Sequence, residues 1–204
     1  MKRGLAGLVG MIVLLIVGLG LAAPAAAAGC PPDSVLSGTV CMDTYEASVW
    51  LVPPAQKKLI EKIQSGKATL AELQAGGFQR GLVAGDLAPD CPETGAGCTD
   101  VYAVSIAGVT PAAFINWFQA AAVARNSRKR LPTNAEWQVA ALGTPDGAPC
   151  NVSSLSAANT GSAAGCVSDV GAFDMVGNRF EWVADWVPRS TACGSTSMTP
   201  STSA

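Results

Sequence analysis

Four oxygen-bearing side chains, Asp174, Asn178, Glu181 and Asp185, fall within one short stretch of this 204-residue chain. Gly177 lies among them, and Trp182 and Trp186 are interleaved. Hard oxygens beside a glycine that allows a tight turn, with backbone carbonyls left free, are what a calcium ion requires. The spacing is not the D-x-[DN]-x-[DN]-G loop of an EF-hand. On composition alone, a hydrogen-bonded loop over a tryptophan core is the simpler reading of the same residues. Histidine is absent throughout. That removes a Ser-His-Asp triad, a Cys-His dyad, a His-ligated zinc or iron site and a histidine general base.

Cysteine is the second reactive type. Cys30, Cys41, Cys91, Cys98, Cys150, Cys166 and Cys193 all follow the N-terminal apolar segment, which points to an oxidising compartment and disulfides. Pairing of sequence neighbours would give three local staples, 30–41, 91–98 and 150–166, although six cysteines admit many other pairings. Cys193 is then left over. No C-x-x-C occurs, so a zinc ribbon or a thioredoxin-type centre is a poor fit.

The elements that must position these groups begin after a removable-looking segment. Met1-Lys2-Arg3 precedes an apolar run from Leu5 to Leu21, and Ala25-Ala26-Ala27-Ala28-Gly29 supplies small residues for cleavage. This is the pattern of an export signal over residues 1–29, and it predicts a periplasmic or extracellular protein. Membrane attachment would require an uncleaved segment, which is about long enough to span a bilayer, or a lipid on Cys30. Loss of Lys2 and Arg3 from the 13 basic residues leaves 11 against 15 acidic ones, a net charge of −4. With no basic stripe, nothing calls for a nucleic-acid partner. Low charge and abundant glycine suit one loop-rich domain over 30–187, and the Ser/Thr-rich stretch 188–204 reads as a disordered tail.

Within the domain, residues 34–50 read as one or two strands around a Ser-Gly turn. Leu59, Ile60 and Ile63 have helical spacing, and Ser65-Gly66 stops that run. Thr69 to Glu72 is a capping box opening a short helix that Gly76-Gly77 ends. Residues 76–100 read as a long stapled loop, and 101–106 as a strand. Thr110-Pro111 predicts a helix start, with Phe114, Trp117, Phe118 and Ala121 along one face. Arg125, Arg128, Lys129 and Arg130 then form a solvated helix end that complements the dipole. Thr133 to Glu136 is another capping box, opening a helix that turns Trp137 and Ala140-Ala141 inward. Asn151-Val-Ser153 matches a glycosylation acceptor.

Three stretches, in this order, carry a resemblance. They are Cys41-Met-Asp-Thr-Tyr45-Glu46-Ala-Ser48, Arg130-Leu-Pro-Thr133-Asn-Ala-Glu136-Trp137 and Phe173-Asp174-Met-Val-Gly177-Asn178-Arg179-Phe-Glu181-Trp182-Val-Ala-Asp185-Trp186. Together they resemble the sulfatase-modifying-factor, or formylglycine-generating-enzyme, family over residues 30–187, with 51–100 as a divergent insert. The resemblance implies an α+β, C-type-lectin-like fold, rich in loops and tied by calcium. It places the side chains of Asp174 and Glu181 on one calcium, with the backbone carbonyls of Gly177 and Arg179. It also suggests a second calcium at Asn159 and Thr160. Tyr45, Glu46, Arg130, Glu136, Trp137, Asn178, Trp182, Asp185 and Trp186 take structural roles in the core and its polar network.

The departure from the family pattern bears on activity. Catalytic members oxidise a cysteine of a client sulfatase to formylglycine with copper(I) on two cysteines, which lie beyond the D-W motif. Those cysteines follow an Arg-Gly-Gly-Ser strand, in a segment that ends in Gly-Phe-Arg. This sequence has neither pattern, and after Trp186 it offers Cys193 alone. One thiolate cannot make a two-coordinate copper(I) site, so copper is not expected. The expected protein is a C-terminally incomplete, non-catalytic scaffold or binding module for an unknown protein or small ligand. The alternative is a formylglycine-generating-type oxidase whose C-terminal active site has been lost.

Overall fold

The computed structural model describes residues 29–186. The export signal, Cys193 and the Ser/Thr-rich tail lie outside the described residues. Residues 34–51 form three strands rather than one or two. Strands β1 (Ser34–Ser37) and β2 (Val40–Asp43) make an antiparallel hairpin from Ser34↔Asp43 to Ser37↔Val40. Its turn carries Gly38 at φ 59°, a left-handed conformation natural to glycine.

Strand β3 (Ala47–Leu51) is the centre of a second sheet with order β4-β3-β5, antiparallel on both sides. Strand β5 (Val101–Ser105) is buried along its whole length. Strand β4 (Phe78–Arg80) pairs with β3 inside the stretch that reads from sequence as loop. Only three residues long, β4 is too short for alternation to register.

Alternation along β3 and β5 divides the core into two layers. Trp50, Val52, Tyr102 and Val104 face α1 (Lys57–Gln64) and α2 (Leu70–Gly76), where Leu59, Ile63 and Leu73 meet them. Val49, Val101 and Ala103 face the opposite way, onto Ala122 and Val123 of α3 (Trp117–Asn126) and the Cys91–Cys98 loop. A smaller cluster of Ala140, Ala172 and Met175 packs with Trp137 beside α4 (Asn134–Ala141) and the hairpin.

Helix α3 corrects the reading of its sequence. It starts at Trp117, not at Thr110-Pro111, and Asn116 caps it in a reciprocal box with Gln119. The face built from Phe114 and Phe118 is outward, and both rings are about half exposed. The inward face is Ala120, Ala122, Val123 and Ala124, with Gln119 donating to the Cys91 carbonyl at 2.7 Å. Small residues let the helix lie close to the sheet, so the larger rings are left at the surface. The basic run that follows is not uniformly solvated. Lys129 is held between Asp33 at 2.5 Å and Asp43 at 2.6 Å, joining the end of α3 to the hairpin.

Three disulfides form, Cys30–Cys41, Cys91–Cys98 and Cys150–Cys166, the sequence-neighbour pairing. Among the described residues no helix is long and apolar enough to cross a membrane.

Candidate functional site

The turn from Asp174 to Glu181 is built by backbone that few residues adopt. Asp174, Gly177 and Asn178 all have positive φ, at 59°, 80° and 53°. At Gly177 a Cβ would come within 2.6 Å of the Asn151 carbonyl, so only glycine fits. Asn178 then acts as a hub. Its Nδ2 donates to Glu46 Oε2 at 2.5 Å and to the Ala158 carbonyl at 3.2 Å, while its Oδ1 accepts from Asn151 Nδ2 and from the Ala158 N–H. The Asn151 side chain is therefore engaged inside the fold, at the position where the acceptor motif would carry a glycan.

Two of the expected ligands are carboxylates of this turn, Asp174 buried and Glu181 partly buried. Asp174 Oδ2 accepts from the Gly161 N–H at 2.7 Å, and Glu181 accepts from the Trp137 indole N–H. Glu46, contributed by the residues just before β3, joins them. Burial pushes the Glu46 carboxyl up to about 8, and the negative charges of Glu181 and Asp174 add to the effect. Glu181 is pushed up to about 7, first by burial and then by Asp174. Asp174 is raised by burial. Glu46 Oε1 is buried with no hydrogen-bond partner. Three neighbouring acids, each raised first by burial, and an orphaned oxygen make an acidic donor set that is all oxygen.

Among the described residues, no three His, Cys, Asp or Glu side chains converge as a ready metal cluster. The expected set uses two carboxylates and backbone carbonyls, and it does not depend on such a cluster. Glu46 was not legible as part of the charge balance because its bond to Asn178 spans 132 positions. Its one signal is its place in the first of the three recognised stretches.

The remaining expected residues have other places. Thr160 laces its loop to residues 106–109: its N–H donates to the Val109 carbonyl, its Oγ1 to the Ile106 carbonyl, and its own carbonyl accepts from Gly108. Asn159 Oδ1 accepts from the Thr110 hydroxyl at 3.3 Å. Asp185 lies away from the turn and accepts from the Asn134 N–H at the start of α4. Arg130 makes a two-pronged bond to Glu136, at 2.7 and 2.6 Å, and this pairing holds the Glu136 carboxyl at about 2. Neither Arg130 nor Trp182 is a core residue. Trp182 is half exposed, with its indole donating to the Ile115 carbonyl, and the exposed Trp186 packs 5.1 Å from the Trp117 ring.

Beside the turn lies a cavity of about 660 Å³. Its floor is made of small residues: Ala47 and Ala103 from the sheet, Ala120 and Ala124 from α3, with Val49 and Val123 between them. Glu46, Glu181 and Arg179 stand on one wall, and Arg128, Lys129 and Arg130 also reach the lining. The volume falls in the range of small-molecule pockets.

The molecule is thus an α+β domain with local disulfide staples, whose acidic turn is fixed by a glycine and an asparagine in left-handed conformations. A family model, the sulfatase-modifying factor enzyme 1-like domain, matches residues 34–200. The chain belongs to that sulfatase-modifying-factor family. No curated protein and no solved structure matches it significantly.

Proposed function

We propose that the chain is an exported, non-catalytic member of its family, a calcium-tied, C-type-lectin-like scaffold that binds a protein or small ligand. The observation that carries this reading is the state of the cysteines. Six of the seven are joined in disulfides. Only Cys193 is left within these 204 residues, and copper(I) chemistry of the family's kind needs a thiolate pair. The three disulfides also fit an oxidising, extracytoplasmic location.

Asp174 and Glu181 would hold a calcium ion with the carbonyls of Gly177 and Arg179; Glu46, whose carboxyl feels the charges of both acids, keeps one oxygen without a hydrogen bond. The ion would supply neutralisation of buried acid and rigidity of the turn. Around it, Asn178 fixes the backbone and Trp137 orients Glu181 through its indole N–H.

Mass spectrometry of a sulfatase-motif peptide incubated with the purified protein and copper tests the non-catalytic reading. The cysteine is expected to remain unchanged, and conversion to formylglycine would overturn the reading. Melting in millimolar calcium against chelator tests the ion. The expected result is a rise of several degrees, because a ligand bound only by the folded state stabilises it. Identical melting curves would remove calcium from the proposal.

A further inference from the structure

Helices α1 and α3 end in the same way, apart from one residue. Each closes with two reverse bonds past its last turn. In α1 the Gly66 N–H donates to the Ile63 carbonyl and the Lys67 N–H to the Lys62 carbonyl. In α3 the Arg128 N–H donates to the Arg125 carbonyl and the Lys129 N–H to the Ala124 carbonyl. This closure puts the residue after the cap in the left-handed region, where glycine is favoured. Gly66 has φ 69°, but the equivalent place in α3 is Arg128, at φ 60°. A side chain is thus held where its own Cβ is disfavoured, and strain of this kind is a pointer to a role for the side chain.

That side chain reaches the lining of the alanine-floored cavity. The other charges there are mostly matched. Lys129 is paired with Asp33 and Asp43, and Arg130 with Glu136. Glu46 and Glu181 belong to the acidic turn, and their neutralisation rests on the calcium proposed above. The cations then left on the lining without an ion-pair partner among the described residues are Arg128 and Arg179, whose Nε is buried and unbonded. The floor offers Ala47, Ala103, Ala120 and Ala124 where larger side chains would fill it.

We propose that this cavity binds an anionic amphiphile, its apolar body on the alanine floor and its carboxylate or phosphate facing Arg128. A free aliphatic acid and the headgroup of an anionic lipid share that chemistry. The test is titration calorimetry of the full purified chain, in calcium, with octanoate and with octanol as the uncharged control. Octanoate is expected to bind at one site, at least tenfold more tightly than octanol.

The Arg128→Gly variant keeps the backbone conformation and removes the charge. It is expected to melt at the same or a higher temperature while losing at least tenfold in octanoate affinity. Ala47→Leu, at an exposed position of the floor, is expected to abolish binding with the melting temperature retained. Flotation with phosphatidylglycerol and phosphatidylcholine vesicles separates the sources. Capture by phosphatidylglycerol alone, lost in Arg128→Gly, identifies a lipid headgroup, and binding of octanoate without capture identifies a free acid. No binding by the unaltered chain, or equal affinity in Arg128→Gly, overturns the proposal. So does a drop in melting temperature in Arg128→Gly, which would make Arg128 a structural residue. Failure of the calcium or non-catalytic readings is seen separately, in the calcium melting curves and the peptide mass spectra.

Discussion

Glu46 and Glu181 carry the sharpest consequence at the scale of single residues. Both carboxyls lie above their ordinary value of 4.5 in the folded chain, at about 8 and about 7. The folded state therefore holds protons that the unfolded chain has already released. Stability is full below the unfolded value and is lost as pH rises toward 7 and then 8. In chelator, the melting temperature is expected to fall steadily from pH 5 to pH 8, and calcium should flatten that fall by favouring the ionised carboxylates. A chelated protein that gains stability over the same range would contradict the burial of these acids.

Lys129 gives a second test at this scale. Burial works against its charge, yet Asp43 and Asp33 together raise its pKa, and Asp43 is itself raised by burial. Lys129→Met would leave two largely buried carboxylates without a partner. Urea unfolding is expected to show a loss of about 3–5 kcal/mol. A loss below about 1 kcal/mol would place the trio among ordinary surface pairs.

Individual elements show what local sequence can and cannot specify. The boxes at Thr69–Glu72 and Thr133–Glu136 were legible because their partners lie three residues apart in the sequence. The box at Asn116–Gln119 is the same device made from amides, hidden behind the stronger-looking Thr110-Pro111. Asn116→Ala removes that cap and the bond to the Glu93 carbonyl, and is expected to cost about 1 kcal/mol or somewhat more by urea unfolding. A substitution without effect would mean that packing alone starts α3. The spacing of Phe114 and Phe118 marks a face without saying which way it turns; the buried face of α3 is Ala120, Ala122, Val123 and Ala124, small enough to lie against the sheet. The acidic turn was legible in Asp174, Gly177, Asn178 and Glu181, whereas Glu46 reaches it only through the folding of the whole domain.

At the scale of the whole molecule, the Cys150–Cys166 disulfide and the acidic turn are mechanically joined. The Asp174 N–H donates to the Cys166 carbonyl, and the Asn178 N–H to the Asn151 carbonyl, one residue past Cys150. Replacing Cys150 and Cys166 by serine is expected to cost about 2–4 kcal/mol and to shrink the calcium-dependent rise in melting temperature. A full calcium response in that variant would separate the staple from the turn.

The three disulfides join cysteines only 11, 7 and 16 positions apart. Each loop is complete before the chain beyond it has been synthesised, so oxidation can proceed in order, from the N-terminal pair to the last. Among the described residues no covalent link ties the beginning of the domain to its end. Lys129 ties the middle of the chain to the hairpin, and the bond of Asn178 to Glu46, which forms only after residue 178 has been made, brings the late acidic turn to the start of β3. Staples of this kind allow a thiol-dependent stage that follows the order of synthesis, whereas the closure between Asn178 and Glu46 depends on hydrogen bonding and on the protonation of a buried acid.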